Sequence, residues 1–229
     1  MTTSGKIKVT ILDDHQSIKD GYLFRLGKTP EIEVLATLGF GEELETSLAA
    51  HPTDVLILDV GVPVSAENSS PYPILHAIPS LLQLHPGLNI LVISMFAERR
   101  LIRSVMEAGA SGYIIKDDSA TIRELGSVVL EIAQGGIHFS PKAHQLFLSS
   151  QLQSGEALNS RQLEVLSMCA AYPSRSTADL AKDMLVAHST LRNLLSGAYV
   201  KLGVNTRAAA IAKAKSLGII TPFVKQPEL

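Results

Sequence analysis

Three short runs, residues 8–12, 55–58 and 90–93, are rich in Val, Ile and Leu and are apolar on both faces rather than alternating. That pattern belongs to strands buried on two sides, as in a parallel sheet. Two weaker strands are predicted at 32–38 and 112–115, and stretches of helical period lie between them, for example 42–50, 99–108 and 121–134. Five alternations of strand and helix predict an open α/β fold, a five-stranded parallel sheet with helices on both faces and right-handed crossovers. Ligands of such sheets bind beyond the carboxyl ends of the strands. After Gly135-Gly136 the pattern loosens, and 144–156, with its Gln and Ser residues, reads as a linker that starts as a helical extension. From Asn159 onward every expected element is helical: 160–171, 177–184, 189–202 and 206–217. The expected organisation is therefore an α/β domain over 1–140, a linker over 141–156, an all-α four-helix domain over 157–222 and a tail over 223–229.

The length of 229 residues suits two compact units, and 46% hydrophobic with 18% charged residues describes an ordinary globular composition. Cys169 is the only cysteine, so neither a disulfide framework nor a thiolate metal site can form within one chain. The first eight residues carry no apolar leader, and no stretch approaches about 18 uninterrupted apolar residues. A cytoplasmic protein is the expectation. The net charge of −2 conceals an asymmetry: residues 1–155 hold 11 Lys+Arg against 17 Asp+Glu, whereas 156–222 hold 8 against 4. An acidic front half and a basic back half suit a cation-binding sensor joined to something that approaches polyanions.

The candidate chemistry gathers at the predicted strand ends. Asp13 and Asp14 follow the first strand, Asp59 ends the third, Ser94 the fourth, and Lys116 follows the fifth. Carboxylates brought together repel one another unless a cation is present, and hard oxygen donors select Mg²⁺ or a similar ion. Such a site can receive a phosphoryl group on a carboxylate, with Lys116 supplying positive charge and the Ser94 hydroxyl a hydrogen bond. His15 adjoins the pocket and reads as a helix-start residue at its rim, since no second ligating histidine is near in sequence.

Asp13-Asp14, the run from Asp59 through Gly61 to Pro63, Ser94, and Tyr113-Ile-Ile-Lys116 resemble the receiver domain of two-component response regulators over about residues 6–140. The resemblance implies a flavodoxin-like fold with Asp59 as phosphoacceptor. It further implies Mg²⁺ held by Asp14, Asp59 and the Gly61 carbonyl with help from Asp13, and a switch formed by Ser94 and Tyr113. One departure is the stretch 64–73, longer than the usual loop; it reads as a tolerated surface insertion, with gating of the pocket or binding of a partner as the alternative.

From Leu158 to Leu217 the chain is similar to the LuxR-type helix-turn-helix of NarL/FixJ-type regulators, most specifically at the Lys201-to-Arg207 segment. By that resemblance 189–202 is the recognition helix. Ser189, Thr190, Arg192, Lys201 and Arg207 are then the candidate DNA contacts, with capping as the competing role for Thr190 and Thr206. Leu194 and Ala187 depart from the family pattern, and Gly197 inside the helix costs about 1 kcal/mol relative to alanine. With few cations on that helix, monomer affinity for DNA should be low, and a dimer reading two half-sites would compensate. The face of Ala208, Ile211, Ala212 and Lys215 is read either as a dimer contact or as an intramolecular core.

The leading expectation is a DNA-binding transcription regulator that is not an enzyme of small substrates and is switched by phosphorylation of Asp59. Its partners would be a sensor histidine kinase or small phosphodonor, double-stranded DNA and, once activated, a second copy of itself. A phosphate-independent regulator controlled through 64–73, and an interaction module whose helical domain no longer reads DNA, are the alternatives.

Overall fold

The computed structural model describes residues 5–149 and 158–217. Six strands, β1 (Ile7–Leu12), β2 (Ile32–Leu38), β3 (Val55–Leu58), β4 (Asn89–Ser94), β5 (Gly112–Ile115) and β6 (His138–Phe139), form one sheet in the order β2-β1-β3-β4-β5-β6. Every pairing is parallel. The sequence predicts five strands; the sixth is a two-residue strand that extends the β5 edge and is too short to show a period of its own.

The double apolar character of the strands has a direct structural meaning. Val55 and Ile57 face α1 (Gln16–Leu26) and α6 (Leu125–Ala133), whereas Leu56 and Leu58 face α2 (Glu43–Ala50), α3 (Ile74–Leu84) and α4 (Arg99–Glu107). Each strand therefore feeds two cores by simple alternation. The helical period predicted over 121–134 is broken into α5 (Ser119–Arg123) and α6, with Glu124 closing one and opening the other.

The expected helical extension is α7 (Pro141–Ser149), which covers β5 and α4 through buried Ala143 and Phe147; Phe147 stacks on Phe139 at 4.7 Å between ring centroids. The remainder of the expected linker, 150–157, and the expected tail, 223–229, lie outside the described residues. The helical unit consists of α8 (Ser160–Ala171), α9 (Thr177–Asp183), α10 (His188–Leu202) and α11 (Arg207–Ser216). Asn159 and Gln162 form a capping box at α8, and Ser176 and Thr206 cap α9 and α11 through their side chains. Thr206 thus takes the capping role. Ala210 and Ala214 of α11 enter the core and Ile211 packs against it, while Ala208, Ala212 and Lys215 stay exposed. The core of the helical unit is continuous with the α2–α3–α4 side of the sheet, so the two units share one apolar interior.

Candidate functional site

Parallel pairing carries the carboxylates to one edge. The Asp13 N–H donates to the Leu38 carbonyl, that of Asp59 to Leu12, and that of Lys116 to Ser94, each bond extending a strand ladder by one residue. Lys116 Nζ reaches Asp13 Oδ2 at 2.6 Å and Asp59 Oδ2 at 2.7 Å. All three side chains are more than nine-tenths buried: 7% exposed for Lys116, 1% for Asp13 and 8% for Asp59. Burial works against the lysine's charge, yet the hydrogen bonds and charges of the two aspartates prevail and raise its pKa. Asp14 is more open, and His15 Nδ1 sits 2.7 Å from its Oδ1. His15 occupies the N-cap position of α1. Asp13, Asp14, His15 and Asp59 can each offer one donor atom, all within 4.8 Å of one another. The Gly61 N–H points back to Asp59 Oδ1 at 3.3 Å.

Above the pocket, the Ser94 hydroxyl accepts from the Phe96 N–H at 3.2 Å, and the fully buried Tyr113 donates to the Phe96 carbonyl at 2.8 Å. Both residues expected to act as a switch therefore hold the same turn after β4. Tyr113 also tethers β6, since its carbonyl accepts from the Ser140 N–H, and the Ser140 hydroxyl in turn accepts from the Ile115 N–H. The long segment 64–73 folds as a small hairpin with a Pro63 to Pro71 bridge, pinned to the start of α2 by hydrogen bonds from Gly41 to Pro63 and from Glu42 to Val64.

The helical unit supplies the second half of the site, and here the residues take unexpected places. Arg192 is 4% exposed and donates to the Leu88 carbonyl at 2.9 Å and to Asn89 Oδ1 at 3.2 Å, both at the corner between α3 and β4. Burial pushes its guanidinium down to about 10, still charged at neutral pH, and among the described residues no carboxylate pairs with it. His188 bridges the same seam: its Nδ1 lies 2.6 Å from the Pro86 carbonyl and its Nε2 2.9 Å from the Thr177 hydroxyl. Asn193 packs over Gly109, which follows α4 at φ +111; a Cβ there would lie 2.7 Å from Asn193 Oδ1. Arg207 donates to the carbonyls of Cys169, Tyr172 and Arg175, closing the end of α8. Thr190 is exposed, while Ser189 and Lys201 are partly exposed.

No family model matches the chain. Curated relatives match nearly its whole length. It is 27% identical to the transcriptional regulatory protein DegU of Brevibacillus brevis, covering 91% of this chain and 93% of that protein. It is 28% identical to the transcriptional regulatory protein MctR of Rhizobium johnstonii over 96% and 99%, and 28% identical to the probable transcriptional regulatory protein NarL of Mycobacterium tuberculosis over 91% and 94%. Among solved structures, the response regulator RcsB of Salmonella typhimurium superposes with a TM-score of 0.55 at 19% identity, over 93% of this chain and 99% of that one. Over nearly its whole length the chain is similar to transcriptional regulators of the NarL and DegU kind, which supports a response regulator of the NarL/FixJ type.

Sequence reasoning missed one side of this chain, the corner that receives α10. Leu88 and Asn89 carry no catalytic signature, and Asn89 spends its own amide on the Asp54 and Gly87 carbonyls to shape the corner. Gly197, the oddity within α10, points to a different contact. It faces α8, where a Cβ would lie 2.6 Å from the end of the Gln162 side chain.

Proposed function

We propose that this response regulator controls transcription by binding DNA through its helical domain, and that phosphorylation of Asp59 opens a closed resting form. The observation that carries the reading is the Asp13–Lys116–Asp59 bridge at the strand ends of a chain that also buries Arg192 of its helix-turn-helix. An Asp59 oxygen would attack the phosphorus of a phosphohistidine or small phosphodonor, the donor's bond to that phosphorus breaking as the new one forms. Lys116 would pair with the incoming phosphoryl oxygens, and the Ser94 hydroxyl would leave the Phe96 N–H for them, which would free Tyr113 and the turn it holds.

The donor set fits a hard divalent cation: Asp14 and Asp59 would hold Mg²⁺ with the Gly61 carbonyl, and Asp13 would assist. Bound there, the ion would neutralise carboxylate and phosphoryl charge. The receiver would span 1–140, the linker 141–156 and the DNA-binding domain 157–222. In the DNA-bound form Arg192, Ser189 and Thr190 would face the major groove with Lys201 on phosphate. Arg207 would keep its structural place. A sensor kinase as donor, activation as a homodimer and a cytoplasmic location complete the reading; among the described residues no helix is long and apolar enough to cross a membrane.

The test is DNA binding by the full chain with Mg²⁺, before and after beryllofluoride. The expected result is tighter, salt-sensitive binding after beryllofluoride that Arg192→Ala removes. Equal affinity in both states would refute the switch. No salt-sensitive binding in either state would favour an interaction module, the reading to which burial of Arg192 lends weight.

A further inference from the structure

We propose that the seam between α10 and the α3–β4 corner is a proton-operated latch, in which protonation of His188 releases the helix that carries Arg192. The consequence for DNA rests on the reading of α10 given above, whereas the latch itself concerns two faces of this chain.

The geometry fixes the protonation state of the closed form. The Pro86 carbonyl can only accept, so Nδ1 of His188 carries the proton and donates across 2.6 Å. Nε2 is then a bare acceptor for the Thr177 hydroxyl at 2.9 Å. Thr177 is itself confined, because it packs against Gly135 in the turn after α6. The ring is therefore held from two directions, by α9 through Thr177 and by the receiver corner through Pro86, while Arg192 Nη2, 3.5 Å from the protonated Nδ1, bears on it as a charge and not as a hydrogen bond. Among the described residues, the charged group bearing on the ring is Arg192.

A second proton would reverse this balance. Nε2 would become a donor to the Thr177 oxygen, which can accept it, so the disruption is electrostatic: a full positive charge would stand beside a buried guanidinium that, among the described residues, no carboxylate offsets. Burial first, and the Arg192 charge second, hold the ring below the usual histidine range, with the Pro86 carbonyl acting in the opposite sense. The sign follows by linkage. The closed form has its full stability above the ordinary histidine pKa and loses it as pH falls through that value, until the lowered pKa of the closed form is reached. Within that window the ratio of open to closed molecules rises by up to about tenfold per pH unit.

The experiment is small-angle scattering of the full, unphosphorylated chain from about pH 7.5 to about pH 5.5, a range centred on histidine titration. The wild type is expected to expand reversibly as pH falls. His188→Gln is expected to stay compact, because a glutamine amide can donate to Pro86 and accept from Thr177 without titrating. That variant also separates His188 from His144 of α7, whose burial likewise holds it low. Ring-proton titration of wild-type His188 by NMR supplies a second readout that needs no variant, with a pKa below the ordinary histidine value expected. A wild type that stays compact, a His188→Gln chain that expands equally, or an ordinary or raised His188 pKa would each overturn the latch. Expansion without any gain in DNA affinity would leave the latch standing and overturn the role given to α10.

Discussion

Lys116 enters a pocket where two buried carboxylates already meet, and it stays charged because both of them bind it. Removing it leaves Asp13 and Asp59 face to face without a cation. Lys116→Ala should lose about 3–5 kcal/mol in a denaturant titration, the scale for breaking a buried pair. Millimolar Mg²⁺ should restore part of that loss, and an unchanged midpoint would show that the bridge contributes nothing to stability. Arg207 presents the opposite case. Its place in the family-like segment suggested a phosphate contact, but the side chain spans three carbonyls at the end of α8. Arg207→Ala should cost about 1–2 kcal/mol, since two of its three charged hydrogen bonds are exposed to solvent and one is partly buried. Arg207→Lys should recover only part, since one ammonium lacks the planar fork that serves all three. The pocket was legible because strand ends collect polar residues at predictable positions. The role of Arg207 was not, because the same cation can serve a phosphate or a helix terminus and the sequence carries no sign of which.

The elements follow from periodicity where it is long and fail where it is short. The five principal strands were legible from runs that feed two cores, but β6 has only two residues and depends on the β5 backbone beside it. α10 was legible as a helix from its segment, yet the partner on its outer face was not, since contacts about 100 residues apart leave no local pattern. Gly109 tests that contact. It combines a φ of +111 with the close approach of Asn193, so any side chain there strains the backbone and pushes on α10. Gly109→Ala should raise DNA affinity in the absence of a phosphodonor by loosening the seam. Unaltered affinity in a folded variant would mean that α10 is not restrained through α4.

On the scale of the whole molecule, one apolar interior runs from the sheet into the helical domain, with α7 and α10 laid over the side of the receiver that carries Tyr113. The change from alternating strand and helix to helix alone near Asn159 was readable, but the packing of α10 on the α3–β4 corner was not, because contacts about 100 residues apart leave no local pattern. Arg192 is buried with no carboxylate partner among the described residues, which makes this closure costly, the property expected of a resting form that a charge change at Asp59 can open. The most direct test is amide hydrogen exchange on the full chain with Mg²⁺, comparing the resting and beryllofluoride-bound states. Exchange should rise together in residues 86–89 and 188–202 in the wild type and remain unchanged in Asp59→Asn. Protection that stays the same across α10 while the pocket is occupied by beryllofluoride would contradict the account.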